Sequence, residues 1–115
     1  CWVAGFSFGA LLCMQLLMRR PEITRFISVS PQPNLYDFNF LAPCPASGLI
    51  VQGKKDEMVA PEETARLAEK LKSQKNITVD YEEISGANHF YDNEQDRLEK
   101  VVRKYIEREL NSKYR

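Results

Sequence analysis

Three side chains of the types that together carry out acyl transfer stand out in this sequence: Ser7, Asp56 and His89. A neutral serine hydroxyl is a weak nucleophile, so it needs a base within hydrogen-bond distance. An imidazole that serves as this base needs a carboxylate to hold its tautomer and stabilise the imidazolium. His89 is the single histidine of the 115-residue chain, so this chemistry has one candidate base.

The serine lies in a setting that suits a nucleophile. Ser7 is the centre of Gly5-Phe6-Ser7-Phe8-Gly9, which follows an apolar run and passes directly into a helical pattern. A serine on a tight turn between a strand and a helix takes a strained backbone conformation, and small neighbours let the two elements approach each other. We therefore expect Gly5 and Gly9 to permit the turn and the Ser7 hydroxyl to project above the sheet.

The elements that must position these residues alternate along the chain. Apolar and alternating runs predict strands at Trp2–Phe6, Arg25–Ser30, Gly48–Gln52 and Ile77–Ile84. Helical patterns cover Gly9–Arg20, Pro61 to about Ser73, and Asn93–Leu110. This alternation is typical of a parallel sheet flanked by helices, so we predict an α/β fold with a mostly parallel sheet of about four strands.

All three chemical side chains fall where a predicted strand ends. The carboxyl ends of parallel strands meet at one edge of the sheet, and ligands bind at that edge in open α/β folds. We therefore expect Ser7, Asp56 and His89 to lie close together there. Glu57 is a rival for the acidic position, because it shares a loop with Asp56.

Three segments, taken together and in order, resemble the α/β-hydrolase family. Gly5–Gly9 resembles its nucleophile elbow, Gly53–Pro61 its acid loop and Gly86–Phe90 its histidine loop. The similarity is greatest to small capless members that are similar to dienelactone hydrolases. The chain departs from true dienelactone hydrolases because Ser7 stands where they have a cysteine, and dienelactone itself is therefore not the expected substrate.

The resemblance implies a role for each residue of the candidate site. Ser7 would be the nucleophile, His89 the base, and Asp56 rather than Glu57 the acid. The backbone N–H of Phe8, directly after the nucleophile, would donate to the oxyanion. The family takes its second oxyanion donor from a loop that precedes the elbow.

The start of the sequence carries a further expectation. The chain opens inside an apolar strand, whereas the first residues of a domain are usually exposed and frayed. We therefore expect residues 1–115 to be a single partial domain, the C-terminal half of an α/β-hydrolase, without its upstream strands and oxyanion loop. Such a fragment would have low activity alone.

The expected function is hydrolysis of a carboxylic ester or a related small acyl compound. One alternative is a serine peptidase that resembles the prolyl oligopeptidases, which share the elbow and the order of the three residues. Another is a non-catalytic half-domain. Its edge strand Trp2–Phe6 would pair with a second copy and form a homodimer.

Apolar side chains near the three candidate residues are candidates for a substrate pocket. They are Phe6, Tyr36, Phe38, Met58, Val59 and Phe90. The segment Leu35–Leu41 is too short for a lid domain. It is equally consistent with an acyl-pocket wall and with an aromatic plug over the sheet.

The composition argues against several other classes of function. Lys plus Arg and Asp plus Glu each number 16, so no net charge favours nucleic acid or an anionic membrane. No apolar run is long enough to span a bilayer, and no signal-peptide pattern is present. The cysteines Cys1, Cys13 and Cys44 are unpatterned, which suits a reducing, cytoplasmic compartment. They lack metal-ligand spacing, so we expect neither a metal nor a cofactor.

Overall fold

The computed structural model describes residues 1–38, 41, 44–75 and 77–112 of the chain. The elements of these residues are β1 (Trp2–Phe6), α1 (Phe8–Arg19), β2 (Arg25–Val29), β3 (Ser47–Gly53), α2 (Pro61–Lys72), β4 (Val79–Ile84) and α3 (Gln95–Ser112). The strands form a parallel sheet in the order β1-β2-β3-β4. The predicted α/β class and parallel sheet are therefore confirmed.

Helices cover both faces of this sheet. Successive residues of a strand point to opposite faces, so Phe26 and Ile50 join α1 and α2 in one apolar layer. Ile27 and Leu49 face the other way and pack in a second layer with α3. The uninterrupted apolar runs of β2 and β3 are explained by this burial on both faces.

Two details differ from the sequence-based expectation. The second strand ends before Ser30, because Ser30 has a φ of 50° and leaves the extended conformation. The sequence Gly9–Arg20 is apolar on nearly every side, a pattern that predicts burial of helix α1 on most sides. That prediction is wrong for the described residues, in which the side chains of Leu12 and Leu16 remain 50% and 45% exposed. The described part of the sheet covers α1 on one side.

Helix α2 shows why its sequence begins and ends as it does. Pro61 occupies the start of the helix, where its missing N–H costs nothing. Glu62 and Glu63 lie in the first turn and Lys70 and Lys72 in the last, so the charges complement the helix dipole. This helix packs beside the end of β3, where the acid loop begins. None of the helices in the described ranges is long and apolar enough to cross a bilayer.

Candidate active site

Ser7 lies on the turn between β1 and α1 in a strained backbone conformation. Its φ is 58° and its ψ is −120°, a region that residues other than glycine rarely adopt. The backbone holds it there: the Ser7 N–H donates to the Val29 carbonyl at 2.8 Å, and the Ser7 carbonyl accepts from the Ala10 N–H at 3.0 Å. The turn therefore links β1, β2 and the first turn of α1.

The two glycines beside Ser7 have different roles. A Cβ atom on Gly5 would lie 2.3 Å from the carbonyl oxygen of Gly9, a distance that no folded protein tolerates. Strand and helix can thus meet only when residue 5 has no side chain. A Cβ on Gly9 would meet nothing within 4 Å among the described residues. The expectation that both glycines are needed for the close approach therefore holds for Gly5, whereas Gly9 contributes its backbone to the contact.

The structure brings Ser7, His89 and Asp56 together at the carboxyl edge of the sheet. The Ser7 Oγ lies 2.9 Å from the His89 Nε2. The His89 Nδ1 lies 2.7 Å from the Asp56 Oδ2. Both the imidazole and the carboxylate are nearly excluded from solvent, with side chains 3% and 0% exposed. Glu57, the rival acid, is exposed to solvent.

The Asp56 carboxylate is surrounded by hydrogen-bond donors. Its Oδ1 accepts the N–H groups of Met58 at 2.8 Å and Val59 at 2.9 Å. Its Oδ2 accepts the Gln52 side-chain amide at 3.0 Å, in addition to the His89 Nδ1. A buried carboxylate is costly unless its oxygens are paired, and here each oxygen has two donors.

This arrangement fixes the tautomer of His89. A carboxylate accepts hydrogen bonds and does not donate them, so the proton of neutral His89 must be on Nδ1. The lone pair of Nε2 is then directed at the hydroxyl of Ser7, which donates to it. Serine, imidazole and carboxylate thus form one continuous chain of hydrogen bonds, which is the geometry that activates a serine.

Phe8 is the first residue of α1 and follows Ser7 directly. The first N–H groups of a helix have no acceptor within the helix, and the positive end of the helix dipole lies at the same place. The Phe8 N–H is thus available to an anion next to the Ser7 hydroxyl. This is the position at which an oxyanion donor is useful.

The predicted pocket residues divide into two groups. Phe6, Met58 and Phe90 are 40%, 47% and 60% exposed, and Tyr36 packs its ring 5.5 Å from that of Phe8. The Phe6 and Phe90 rings lie 5.4 Å and 5.1 Å from the His89 ring, so with Phe8, the residue after Ser7, they form an apolar rim beside the Ser7–His89 pair.

The other two predicted pocket residues, Phe38 and Val59, are buried. Phe38 packs in the same apolar layer as Leu41, which favours the aromatic-plug interpretation of this segment. Asn39 and Phe40 of the same segment lie outside the described residues.

Sequence reasoning missed two pairs of polar residues behind the site. Gln52 and Thr64 are both 0% exposed and bond to each other at 2.8 Å. The hydroxyl of Ser30 donates to the Tyr91 oxygen at 3.0 Å, and burial raises the pKa of Tyr91 to about 12. Gln52 did carry a signal: it is a polar residue at the end of a buried apolar run, so it needs a partner.

In the part of the chain that the structure describes, no cluster of three or more His, Cys, Asp and Glu side chains is placed to hold a metal ion. The candidate site itself brings together a serine hydroxyl, an imidazole, a carboxylate and a helix N-terminus.

Comparison with known proteins shows the family to which this chain belongs. The chain is 44% identical over 108 residues to the uncharacterized protein RP471 of Rickettsia prowazekii, covering 90% of this chain and 45% of that protein. It superimposes with a TM-score of 0.96 on ATU1826 of Agrobacterium tumefaciens, a protein of unknown function assigned to the α/β-hydrolases. The identity is 53%, over 97% of this chain and 51% of that one.

A third relative is XC6422 of Xanthomonas campestris, an α/β serine hydrolase without a lid. The TM-score is 0.76 and the identity 28%, over 93% of this chain and 46% of that one. The chain thus spans about half the length of the relatives it matches. The resemblance to capless α/β-hydrolases is confirmed.

The family match is to the prolyl oligopeptidase family and covers residues 25–112. It includes Asp56 and His89 and begins after Ser7. This is the family that the sequence suggested as an alternative to the dienelactone-hydrolase-like group. Because the match extends over most of the chain, the chain belongs to the prolyl oligopeptidase family and has the α/β-hydrolase fold.

Proposed function

We propose that the whole protein is a serine hydrolase of carboxylic esters or related small acyl compounds, with Ser7, Asp56 and His89 as its catalytic triad. The observation that supports this most strongly is the continuous hydrogen-bond chain from Ser7 through His89 to Asp56. The strained φ of Ser7 adds support, because such strain is concentrated at functional sites.

The proposed reaction uses each member of the chain in turn. The Ser7 Oγ attacks the acyl carbonyl while the His89 Nε2 takes its proton. Asp56 stabilises the imidazolium, and the Phe8 N–H donates to the oxyanion. His89 then gives the proton to the leaving group. A water molecule attacks the acyl-enzyme by the same route and releases the acid.

The apolar rim supports a preference for acyl groups without charge. Phe6, Phe8 and Phe90 expose large parts of their rings close to Ser7. Contact with such rings favours an apolar acyl chain over a carboxylate-bearing one, because burying an unpaired charge is costly.

Covalent labelling of the chain with a fluorophosphonate tests the assignment of the nucleophile. We expect modification at Ser7, located by mass spectrometry of the labelled peptide, and loss of that modification in Ser7→Ala. Ser85→Ala is the matched control, because Ser85 is an exposed serine elsewhere in the chain. Equal labelling of the wild-type chain and Ser7→Ala would refute the proposal.

Membership of the prolyl oligopeptidase family favours a second candidate, a serine peptidase that uses the same triad. The two candidates differ in the bond that is cleaved. The whole protein is therefore assayed with p-nitrophenyl acyl esters and with a proline-containing peptide p-nitroanilide. A higher kcat/KM for the peptide than for the esters would assign the protein as a peptidase and would leave the triad assignment unchanged.

The edge strand supports a separate proposal, that this chain pairs with a second copy of itself through β1. Among the described residues β1 has a neighbour on one side, β2. Unpaired backbone groups on an apolar edge are a template for another strand. The oligomeric state of the chain tests this pairing.

A further inference from the structure

Behind the Asp56 carboxylate lies a buried amide that no part of the proposed reaction uses. The Nε2 of Gln52 donates to the Asp56 Oδ2 at 3.0 Å and to the Gly53 carbonyl at 3.1 Å. The Oε1 of Gln52 accepts from the Thr64 hydroxyl at 2.8 Å. Gln52 ends the buried run of β3, and Thr64 lies in the first turns of α2.

Only one orientation of the Gln52 amide satisfies all these partners. A carboxylate and a carbonyl can only accept, so the NH₂ group must face Asp56 and Gly53. The amide oxygen then faces Thr64, whose hydroxyl must donate. Gln52 and Thr64 are 0% exposed, so water does not compete for these groups, and leaving one unpaired would be costly.

The position of this amide matters because of which oxygen it holds. The backbone donors of the acid loop, from Met58 and Val59, both bind Oδ1 of Asp56. Gln52 donates to Oδ2, the oxygen that also accepts from the His89 Nδ1. The Gln52 amide occupies one lone pair of Oδ2. The other lone pair is then left to accept from the His89 Nδ1. Gln52 therefore selects the direction from which His89 is held.

We propose that Gln52 and Thr64 are positioning residues of the triad: the Thr64 hydroxyl orients the Gln52 amide, which orients Asp56 and thereby His89 toward Ser7. This inference rests on the proposed function for its catalytic consequence and on the hydrogen bonds alone for its structural part. It makes helix α2 a support of the site, although the residues of α2 lie outside the triad.

A set of matched variants tests the proposal through the rate of Ser7 labelling by a fluorophosphonate. Gln52→Met keeps the size of the side chain and removes the donor. We expect its labelling rate to fall by roughly 10- to 100-fold, the change that corresponds to loss of one hydrogen bond to a charged group. The labelling rate of Thr64→Val should fall several-fold. That of Thr64→Ser, which keeps the hydroxyl, should stay close to the wild-type rate.

Rescue by Gln52→Glu distinguishes positioning from mere packing. When its carboxyl is protonated, this variant has an O–H that can donate to Asp56 in place of the amide. At about pH 5–6, where a buried carboxyl next to a carboxylate holds its proton, we expect labelling close to wild type and faster than in Gln52→Met. The proposal is overturned if Gln52→Glu is as slow as Gln52→Met, or if Gln52→Met and Thr64→Val label at the wild-type rate.

A second readout does not depend on activity. His89 is the single histidine, so the NMR signal of its Nδ1–H is identified without ambiguity. We expect this proton to exchange faster with water in Gln52→Met and Thr64→Val than in the wild-type chain and Thr64→Ser. Unchanged exchange in both variants would refute the positioning role. Absence of Ser7 labelling in the whole protein would refute the proposed function, and this exchange measurement would still decide the inference.

Discussion

The two ends of the candidate triad are built in different ways. At the acid–base end, Asp56 and His89 are buried, and each oxygen of the carboxylate has two donors. At the nucleophile end, Ser7 follows β1, and its neighbours Phe6 and Phe8 are 40% and 49% exposed. One end is thus enclosed by the described residues, and the other is open.

The edge strands of the sheet show the same contrast. Strand β4 carries Asp80, Glu82 and Glu83, and charges on an edge strand discourage pairing with other chains. Strand β1 reads Trp-Val-Ala-Gly-Phe and carries no charge. An open apolar groove of about 500 Å³ runs beside it, lined in part by Ala4, Phe6 and Phe90.

The described residues enclose the acid–base end almost completely, whereas they leave the nucleophile end partly uncovered. The acid–base end needs β3, β4 and α2, all of which are present, so its geometry is fixed by contacts within the chain. The nucleophile end depends on a strand whose outer edge is apolar and uncovered among the described residues. Variants at the two ends should therefore affect different properties, reactivity at one and stability or association at the other.

The largest expected effect is at the acid–base end. Asp56→Asn replaces an acceptor with an amide whose NH₂ would face the Nδ1 of His89, so the proton moves to Nε2 and the lone pair no longer meets Ser7. We expect the Ser7 labelling rate to fall by roughly 10³- to 10⁴-fold, as for the corresponding change in other serine triads. The measurement is the second-order rate constant with a fluorophosphonate.

Glu57→Gln is the matched control for that experiment. It makes the same chemical change at the neighbouring, exposed position. We expect its labelling rate to stay within about twofold of wild type, because surface substitutions have small effects. If Glu57→Gln were the slower variant, Glu57 would replace Asp56 as the acid.

The next effect is at the nucleophile end and concerns stability. Gly5→Ala would place a Cβ 2.3 Å from the Gly9 carbonyl oxygen, so β1 and α1 must move apart. We expect the free energy of unfolding to fall by about 3 kcal/mol, at the upper end of overpacking costs. Chemical denaturation followed by circular dichroism measures it.

Gly9→Ala is the paired variant with the same added methyl group. The space beside Gly9 is open among the described residues, and Gly9 lies in α1, where alanine is favoured over glycine. We expect no loss of stability, or a gain of up to about 1 kcal/mol. Equal destabilisation by the two variants would show that the strand–helix contact is not the constraint at Gly5.

Much of the fold could be predicted from the sequence because its signals are local. The apolar runs of β2 and β3 and the Pro61 start of α2 are read from neighbouring residues alone. Alternation of strands and helices then restricts the topology to a parallel sheet. The candidate triad followed because each of its members stands where a predicted strand ends.

The rest depended on contacts between distant residues, which no local pattern encodes. The role of Gln52 is set by Thr64 in the next helix and by Asp56 in the next loop. The exposure of Leu12 depends on which elements surround α1. The sequence of α1 does not reveal this, because it is apolar on nearly every side. The difference between Gly5 and Gly9 appears only when the strand and the helix are placed against each other.

A smaller effect is expected at the link between the two ends. The Tyr91 hydroxyl accepts from Ser30 at 3.0 Å and lies 3.4 Å from the Val51 carbonyl, so it ties the histidine loop to β2 and β3. We expect Tyr91→Phe and Ser30→Ala each to lower the free energy of unfolding by about 1–2 kcal/mol. The double variant should lose less free energy of unfolding than the two single variants together, because each substitution removes the same Ser30–Tyr91 hydrogen bond.

The same tyrosine predicts a pH dependence. Burial raises the pKa of Tyr91 to about 12, above the ordinary value of about 10 in an unfolded chain. Between these values the unfolded state has lost the proton and the folded state keeps it, so stability is full below about pH 10 and falls as pH rises toward 12. Chemical denaturation at several pH values between about 10 and 12 measures this. The free energy of unfolding should fall less steeply with pH in Tyr91→Phe than in the wild-type chain. An identical pH profile would contradict the burial of this hydroxyl.

The smallest effect on stability is expected at the open edge itself. Ala4 is exposed in β1 beside the apolar groove, so Ala4→Lys places a charge where a second copy would pair. Thr78→Lys adds the same charge next to β4, the edge that already carries acidic residues. We expect each variant to change the free energy of unfolding by less than about 0.5 kcal/mol. Sedimentation velocity should show concentration-dependent association of the wild-type chain and of Thr78→Lys, with Ala4→Lys monomeric. A wild-type chain that stays monomeric at all concentrations would remove the pairing proposal, and the apolar edge would then require an occupant other than a second copy.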